Sequence, residues 1–188
     1  AILAFDGPGQ GEAEYDFPIR YDYENVVGPA IDWLIATRKE QVDTDRIGIW
    51  GISLGGYYAP RSAAFEKRIK AAIANCGPYN WGALWDKLPG LTRDAYVQRS
   101  HSETLEEAKQ KAFQLDLTNV ANKIECPLFV IAGGLDRLCP PEDAERLARE
   151  AKGETVLLVI PDGNHVAHNR AYKYRNQSAD WMAEKLSA

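Results

Sequence analysis

Cysteine is scarce in this chain, with three among 188 residues, at positions 76, 126 and 139. The odd count, the wide spacing and the lack of any C-x-x-C pair exclude a disulfide framework and argue against a structural zinc site. Basic charge is also in deficit: 22 Lys and Arg face 27 Asp and Glu, for a formal net charge of −5. A nucleic-acid binder needs a basic face for phosphates, so that class is excluded. No apolar run nears the ~20 residues that a membrane span requires. Repeats and low-complexity tracts are absent as well; no targeting signal is found in residues 1–188, which excludes nothing for a chain expected to continue upstream. What remains is 45% apolar and 26% charged, the balance of a folded domain. With 188 residues the chain is sized for one domain. A soluble protein of a reducing, cytoplasmic compartment is expected.

Short apolar runs alternate with longer amphipathic stretches. Ala1–Phe5, Arg46–Trp50, Ala71–Asn75, Leu128–Ala132 and Thr155–Ile160 read as strands covered on both faces. Helical spacing marks Tyr23–Arg38 through Val26, Val27, Ala30, Ile31 and Leu34. Thr104-Leu-Glu-Glu107 is a capping box. Pro141–Ala151 opens on Pro and acids and stops before Gly153, and Arg170–Leu186 reads as a closing helix. Such alternation predicts the α/β class, with a mostly parallel sheet flanked by helices. Residues 78–117 break the rhythm with Tyr79, Trp81, Leu84, Trp85, Leu88 and Tyr96. This insertion reads as a lid or pocket wall, or as a satellite cluster packed over the sheet. The chain opens inside an apolar run without Met, so residues 1–188 are expected to form the C-terminal part of a longer protein.

The strongest chemical signal is Gly51-Ile-Ser53-Leu-Gly55-Gly56. It is G-x-S-x-G set between a strand and a helix expected over Leu54–Phe65, the context that gives the motif meaning. A serine at so sharp a turn sits in strained backbone, and side chains two residues to either side are expected to collide unless they are glycine. The turn lifts the hydroxyl above the sheet edge. It also aims the first amides of the helix at the space where an oxyanion forms. Pro60 should kink that helix or mark where its regular part begins.

A serine is a poor nucleophile without a base, and the base needs an orienting acid. Of the three histidines, His101 lies in the polar part of the insertion and reads as a solvated surface residue. His165, in Ile160-Pro-Asp-Gly-Asn-His165, follows the last strand, and parallel strands all end on one side, so it faces the sheet edge of Ser53. His168 reads as a wall or helix-start residue, since H-x-x-H without a third ligand makes no metal site. Asp136, after Leu128-Phe-Val-Ile-Ala-Gly-Gly-Leu, supplies the acid and completes the order Ser…Asp…His of the elbow class. The rival acid, Asp162, sits in Pro-Asp-Gly and reads as a turn former. Asp6 reads the same way, and its Gly-rich run lacks the G-K-[ST] of a phosphate loop. Cys76 and Cys126 read as small buried hydrophobes, and Cys139 has no His close in sequence to activate it.

Phe5-Asp-Gly-Pro-Gly-Gln-Gly-Glu12, Gly51-Ile-Ser-Leu-Gly-Gly-Tyr-Tyr-Ala-Pro-Arg61, Gly134-Leu-Asp136 and Asp162-Gly-Asn-His165-Val-Ala-His-Asn169 together resemble the α/β-hydrolases. They look most like the group with 2,6-dihydroxypseudooxynicotine hydrolase, fungal polyketide-shortening hydrolases and FrsA-like esterases. The resemblance spans nearly the whole chain. It implies the α/β-hydrolase fold, with Ser53 as nucleophile, Asp136 as acid, His165 as base and the Leu54 N–H as one oxyanion-hole donor. It also implies strands, a cap and a second oxyanion donor upstream of Ala1. Trp81, Trp85, Tyr57 and His168 are the expected pocket residues. The expectation is a serine hydrolase that cleaves a C–C bond next to a ketone, or an ester, of an aromatic or polyketide-like small molecule. It needs no cofactor or metal and takes no nucleic-acid or membrane partner; a homodimer stays open. A general carboxylesterase or peptidase, and a non-catalytic binding module, are the alternatives.

Overall fold

The computed structural model describes residues 1–187. Four of the apolar runs form strands: β1 (Ile47–Ile52), β2 (Ile69–Asn75), β3 (Leu128–Gly133) and β4 (Thr155–Ile160). Neighbours are parallel throughout, in the order β1-β2-β3-β4. The central pair, IKAAIAN and LFVIAG, is buried almost end to end, which is why neither strand alternates polar with apolar residues. At the edge, β1 does alternate in burial, and Trp50 and Ile52 stay 44% and 47% exposed.

Helices cover the sheet on both faces. On one side lie α1 (Glu24–Arg38), α2 (Gly55–Phe65) and, further along the chain, α6 (Pro141–Glu150), which bring Val27, Ile31, Ala63, Ala64, Ala144 and Leu147 into the larger core. Arg61 ties α2 to α1 through two hydrogen bonds to Glu24, at 2.7 and 2.8 Å. On the other side α7 (Arg175–Ser187) seats Trp181 edge-on to Phe129, with ring centroids 5.4 Å apart. Each large side chain buried this way contributes about 1.5–3 kcal/mol.

Residues 78–117 fold as α3 (Trp81–Leu84), α4 (Gly90–Arg99) and α5 (Leu105–Ala112). The ends of this excursion meet: Asn80 bridges Asp116, and the Leu117 N–H donates to the Tyr79 carbonyl at 3.0 Å. Thr104 caps α5 by accepting the Glu107 N–H at 3.1 Å. The Glu107 carboxylate takes the N–H of Glu103 rather than that of Thr104, so half of the expected capping box forms.

Three expectations are corrected. Residues 1–5 form no strand, and Ile2 is 97% exposed. Apolar composition states a preference for burial, but a strand exists only where a neighbour accepts its backbone hydrogen bonds, and no strand of this sheet pairs with that run. The closing stretch is not one helix from Arg170. Irregular 3-10 turns span His165–Lys173, and α7 begins only at Arg175. Finally, α2 runs through Pro60 uninterrupted. The carbonyl that Pro60 leaves without an N–H is that of Gly56, four residues back, and it lies against Gly77. Among the described residues no helix is long and apolar enough to cross a membrane.

Candidate active site

Ser53 stands between β1 and α2 at φ +56, in the left-handed region. Its N–H donates to the Asn75 carbonyl at the end of β2, at 2.9 Å, and its own carbonyl accepts the Gly56 N–H at 2.7 Å. These bonds hold a conformation that disfavours any residue with a Cβ. A Cβ on Gly51 would lie 1.7 Å from the Gly55 carbonyl oxygen, so the first glycine of the motif is sterically required. Gly55 meets nothing within 4 Å; the crowded glycine after the serine is Gly56, whose Cβ would come within 2.6 Å of the Gly77 backbone. The sequence expectation was right for Gly51 and misplaced by one residue beyond the serine. Gly51→Ala is therefore expected to lower the unfolding free energy by about 1–3 kcal/mol, as overpacking does. A urea titration measures it, and an unchanged midpoint would show that the turn relaxes freely.

His165 is carried by the loop after β4. That loop reaches the end of β3 because Gly133 has no side chain: a Cβ there would sit 2.2 Å from the Asn164 carbonyl oxygen. Beyond His165, Val166 and Ala167 have φ of +62 and +51. A β-branched residue in that region is strained, and such strain persists only where the surroundings hold it. The result aims the ring in two directions. Its Nε2 is 2.8 Å from Ser53 Oγ, and its Nδ1 is 2.8 Å from Asp136 Oδ2.

Asp136 follows β3, and its side chain has no exposed surface. Burial pushes its carboxyl up, but the hydrogen bond from His165 and the Cys139 and Leu138 amides on Oδ1 outweigh it, so the group sits below its ordinary value. Asp162 has other partners: Arg170 at 2.6 Å and Lys173 at 2.9 Å hold its carboxyl down at about 2.

Among the remaining residues singled out from sequence, Leu54 opens the first turn of α2, and no backbone hydrogen bond among the described residues uses its N–H. Trp81 and Trp85, both on the insertion, are buried. Tyr57 is fully buried with its hydroxyl donated to the Tyr21 carbonyl at 2.9 Å, which makes it an anchor between α2 and the segment before α1. His168 is exposed, and His101 Nε2 donates to the Glu14 carbonyl, 2.7 Å away. Cys76 and Cys139 are buried thiols, pushed up by desolvation, Cys76 to about 12; Cys126 is half-buried, less covered than its sequence context suggests. Among the described residues no His, Cys, Asp and Glu cluster has the make-up of a metal site. Sequence reasoning passed over Asn75 and Gly77, which brace the elbow from the next strand. Nothing local marks them, because their importance comes from the register of β2 against β1.

A serine at a strand–helix elbow, on a parallel sheet with helices on both faces, defines the α/β-hydrolase-fold enzymes. Residues 21–188 match the model of the prolyl oligopeptidase family, and the chain belongs to that family. It is 35% identical to 2,6-dihydropseudooxynicotine hydrolase of Paenarthrobacter nicotinovorans over 100% of its own length and 51% of that protein. The crystal structure of the 2,6-dihydroxy-pseudo-oxynicotine hydrolase matches with a TM-score of 0.89 and 34% identity, over 96% of this chain and 51% of that one. Alpha/beta hydrolase psoB of Aspergillus fumigatus is 41% identical over 97 residues, 48% of this chain and 22% of that protein. Acetyl xylan esterase 1 of Thermoanaerobacterium shares the fold, with a TM-score of 0.65 and 21% identity over 86% of this chain and 52% of that one. The chain spans about half the length of the first of these relatives.

Proposed function

We propose that this chain carries the catalytic half of a serine hydrolase acting on an aromatic or polyketide-like small molecule, at a C–C bond next to a ketone or at an ester. The observation that carries it is the chain of contacts from Ser53 Oγ to His165 Nε2 and from His165 Nδ1 to Asp136 Oδ2, each 2.8 Å. Ser53 Oγ attacks the carbonyl carbon while His165 Nε2 takes its proton. Asp136 stays ionised and accepts the hydrogen bond from Nδ1–H throughout, which keeps the tautomer and steadies the imidazolium. The tetrahedral oxyanion is stabilised by the Leu54 N–H. Collapse breaks the bond to the leaving group, an enolate or an alkoxide, which His165 protonates. Water, deprotonated by the same nitrogen, then attacks the acyl-serine, releases a carboxylic acid and restores the hydroxyl. The lid reading of residues 78–117 belongs to this proposal, and three free cysteines fit a cytoplasmic setting.

The name of the 35% identical relative, a pseudooxynicotine hydrolase, favours a ketone substrate. The description of the family favours a second reading, an amide or peptide bond, attacked by the same residues. Turnover of aryl β-diketones, p-nitrophenyl esters and prolyl peptides by the full-length protein separates them. The first reading expects the diketone to have the highest kcat/KM; a preference for the peptide by tenfold or more would replace it with the second.

A further inference from the structure

The loop that carries His165 would not keep its shape unaided. Val166 and Ala167, directly after the imidazole, are buried and stand in the left-handed region at φ +62 and +51. That region disfavours any side chain, and a β-branched one most, so the surrounding chain must impose it. One end of the loop is pinned to the acid-bearing turn. There the N–H of Leu135, next to Asp136, donates to the Gly163 carbonyl at 2.8 Å. The far end, beyond Ala167, needs a tie of its own.

The Asn169 carboxamide supplies it. Its Oδ1 accepts the Asn164 N–H at 2.9 Å, and its Nδ2 donates to the Asp162 carbonyl at 2.8 Å. Asn164 answers at longer range, its own Oδ1 accepting the Asn169 N–H at 3.4 Å. These bonds tie residue 169 back across the imidazole to the backbone before it, so His165, Val166 and Ala167 lie inside a closed ring of chain. The Ala167 N–H tightens the same turn by donating to the Asn164 carbonyl at 2.8 Å. Because the two backbone partners are one N–H and one carbonyl, the bridging group must accept at one atom and donate at the other. A carboxamide does both; a carboxylate of the same shape only accepts, and would set an oxygen against the Asp162 carbonyl. Asp162 is also paired with Arg170 and Lys173. Those pairs are solvent-exposed, a kind that contributes little, and they grip a side chain rather than the backbone beside His165.

We propose that Asn169 is the positioning residue of His165. Its amide bridge holds Val166 and Ala167 in the left-handed region, and so keeps Nε2 on Ser53 Oγ and Nδ1 on Asp136, each at 2.8 Å. Without the bridge, residues 166 and 167 relax to ordinary φ and carry the ring away from both partners. A displacement of about 1 Å at a reacting group costs about 100-fold in rate. The inference rests on the proposed hydrolase reading for the role of His165 as base, but the placement of its ring can be measured without turnover.

Asn169→Leu, Asn169→Asp and Lys173→Met in the full-length protein test it, by the rate of fluorophosphonate labelling and by nitrogen NMR of the neutral histidine rings. Asn169→Leu, similar in size but without polar atoms, is expected to label about 100-fold more slowly and Asn169→Asp about tenfold, whereas Lys173→Met, which removes an ion pair from the same loop, stays within about twofold of wild type. In wild type the His165 ring should carry its proton at Nδ1, the tautomer that Asp136 selects; in Asn169→Leu it should show the mixture of a free imidazole. A merely structural role would shift the melting temperature and leave the tautomer alone. Since Asn169 is exposed, melting should change little. A wild-type labelling rate in Asn169→Leu overturns the inference, as does an unchanged tautomer, an equal loss in Lys173→Met or a wild-type ring without the Nδ1 proton. If Asn169→Leu fails to fold, Asn169→Asp decides by the same two readings. If wild type is not labelled, the hydrolase reading falls and the tautomer alone decides: its loss in Asn169→Leu upholds the positioning role, and its persistence overturns it. Labelling that proceeds equally in wild type and Asn169→Leu removes the positioning role alone.

Discussion

Ser53→Ala should lower turnover by about a million-fold, the scale seen when a serine nucleophile is removed from an intact triad, and should abolish labelling by a fluorophosphonate. The expectation follows from geometry: the Ser53 hydroxyl is the group that meets His165 Nε2, at 2.8 Å. The thiol closest to Asp136 along the chain, Cys139, is buried and pushed up well above its ordinary value, so it offers no thiolate to take over. Substrate affinity should change little, because alanine removes one oxygen and fills no space. Single-turnover assays separate the two effects. Retained labelling in Ser53→Ala would mean that another side chain reacts, and the chemistry would then have to be assigned elsewhere.

Asp136→Asn should cost about ten-thousand-fold in kcat, while Asp162→Asn should leave it unchanged. An asparagine at position 136 can still accept from the Leu138 and Cys139 amides, as Asp136 Oδ1 does. Its amide nitrogen, however, would face His165 Nδ1 as a donor. That selects the tautomer whose Nε2 carries a proton and cannot take another from serine, and this error is what makes the substitution so costly in serine hydrolases. Asp162 is nearer to His165 in sequence, but its carboxylate is held by Arg170 and Lys173. Steady-state kinetics on both variants checks the ranking, and a larger loss for Asp162→Asn would exchange their roles.

Much of the site's ingredients was legible from local pattern. G-x-S-x-G after an apolar run places a serine at a turn, because Gly51 and the shortness of the turn are properties of the chain itself. The parallel sheet was legible too, since apolar runs such as LFVIAG and TVLLVI are separated by enough chain for crossover helices. The choice between Asp136 and Asp162 was only half visible. Turn chemistry favoured Asp136, yet the ion pairs that occupy Asp162 come from Arg170 and Lys173, on a stretch that reads as helix and folds as irregular 3-10 turns. Residues 1–5 misled for a related reason: apolarity is written in the sequence, and a pairing partner is not.

What the amino-acid order determined by itself was the parts: a strained serine, a carboxylate past one strand, an imidazole past another, and an aromatic insertion between. Local sterics and hydrophobic periodicity act over a few residues, so they can be read a few residues at a time. Only the tertiary structure decided which parts meet. Strand register set Asn75 under Ser53, and the missing side chain of Gly133 let the His165 loop close in. Contacts between residues far apart along the chain depend on how all the layers pack at once.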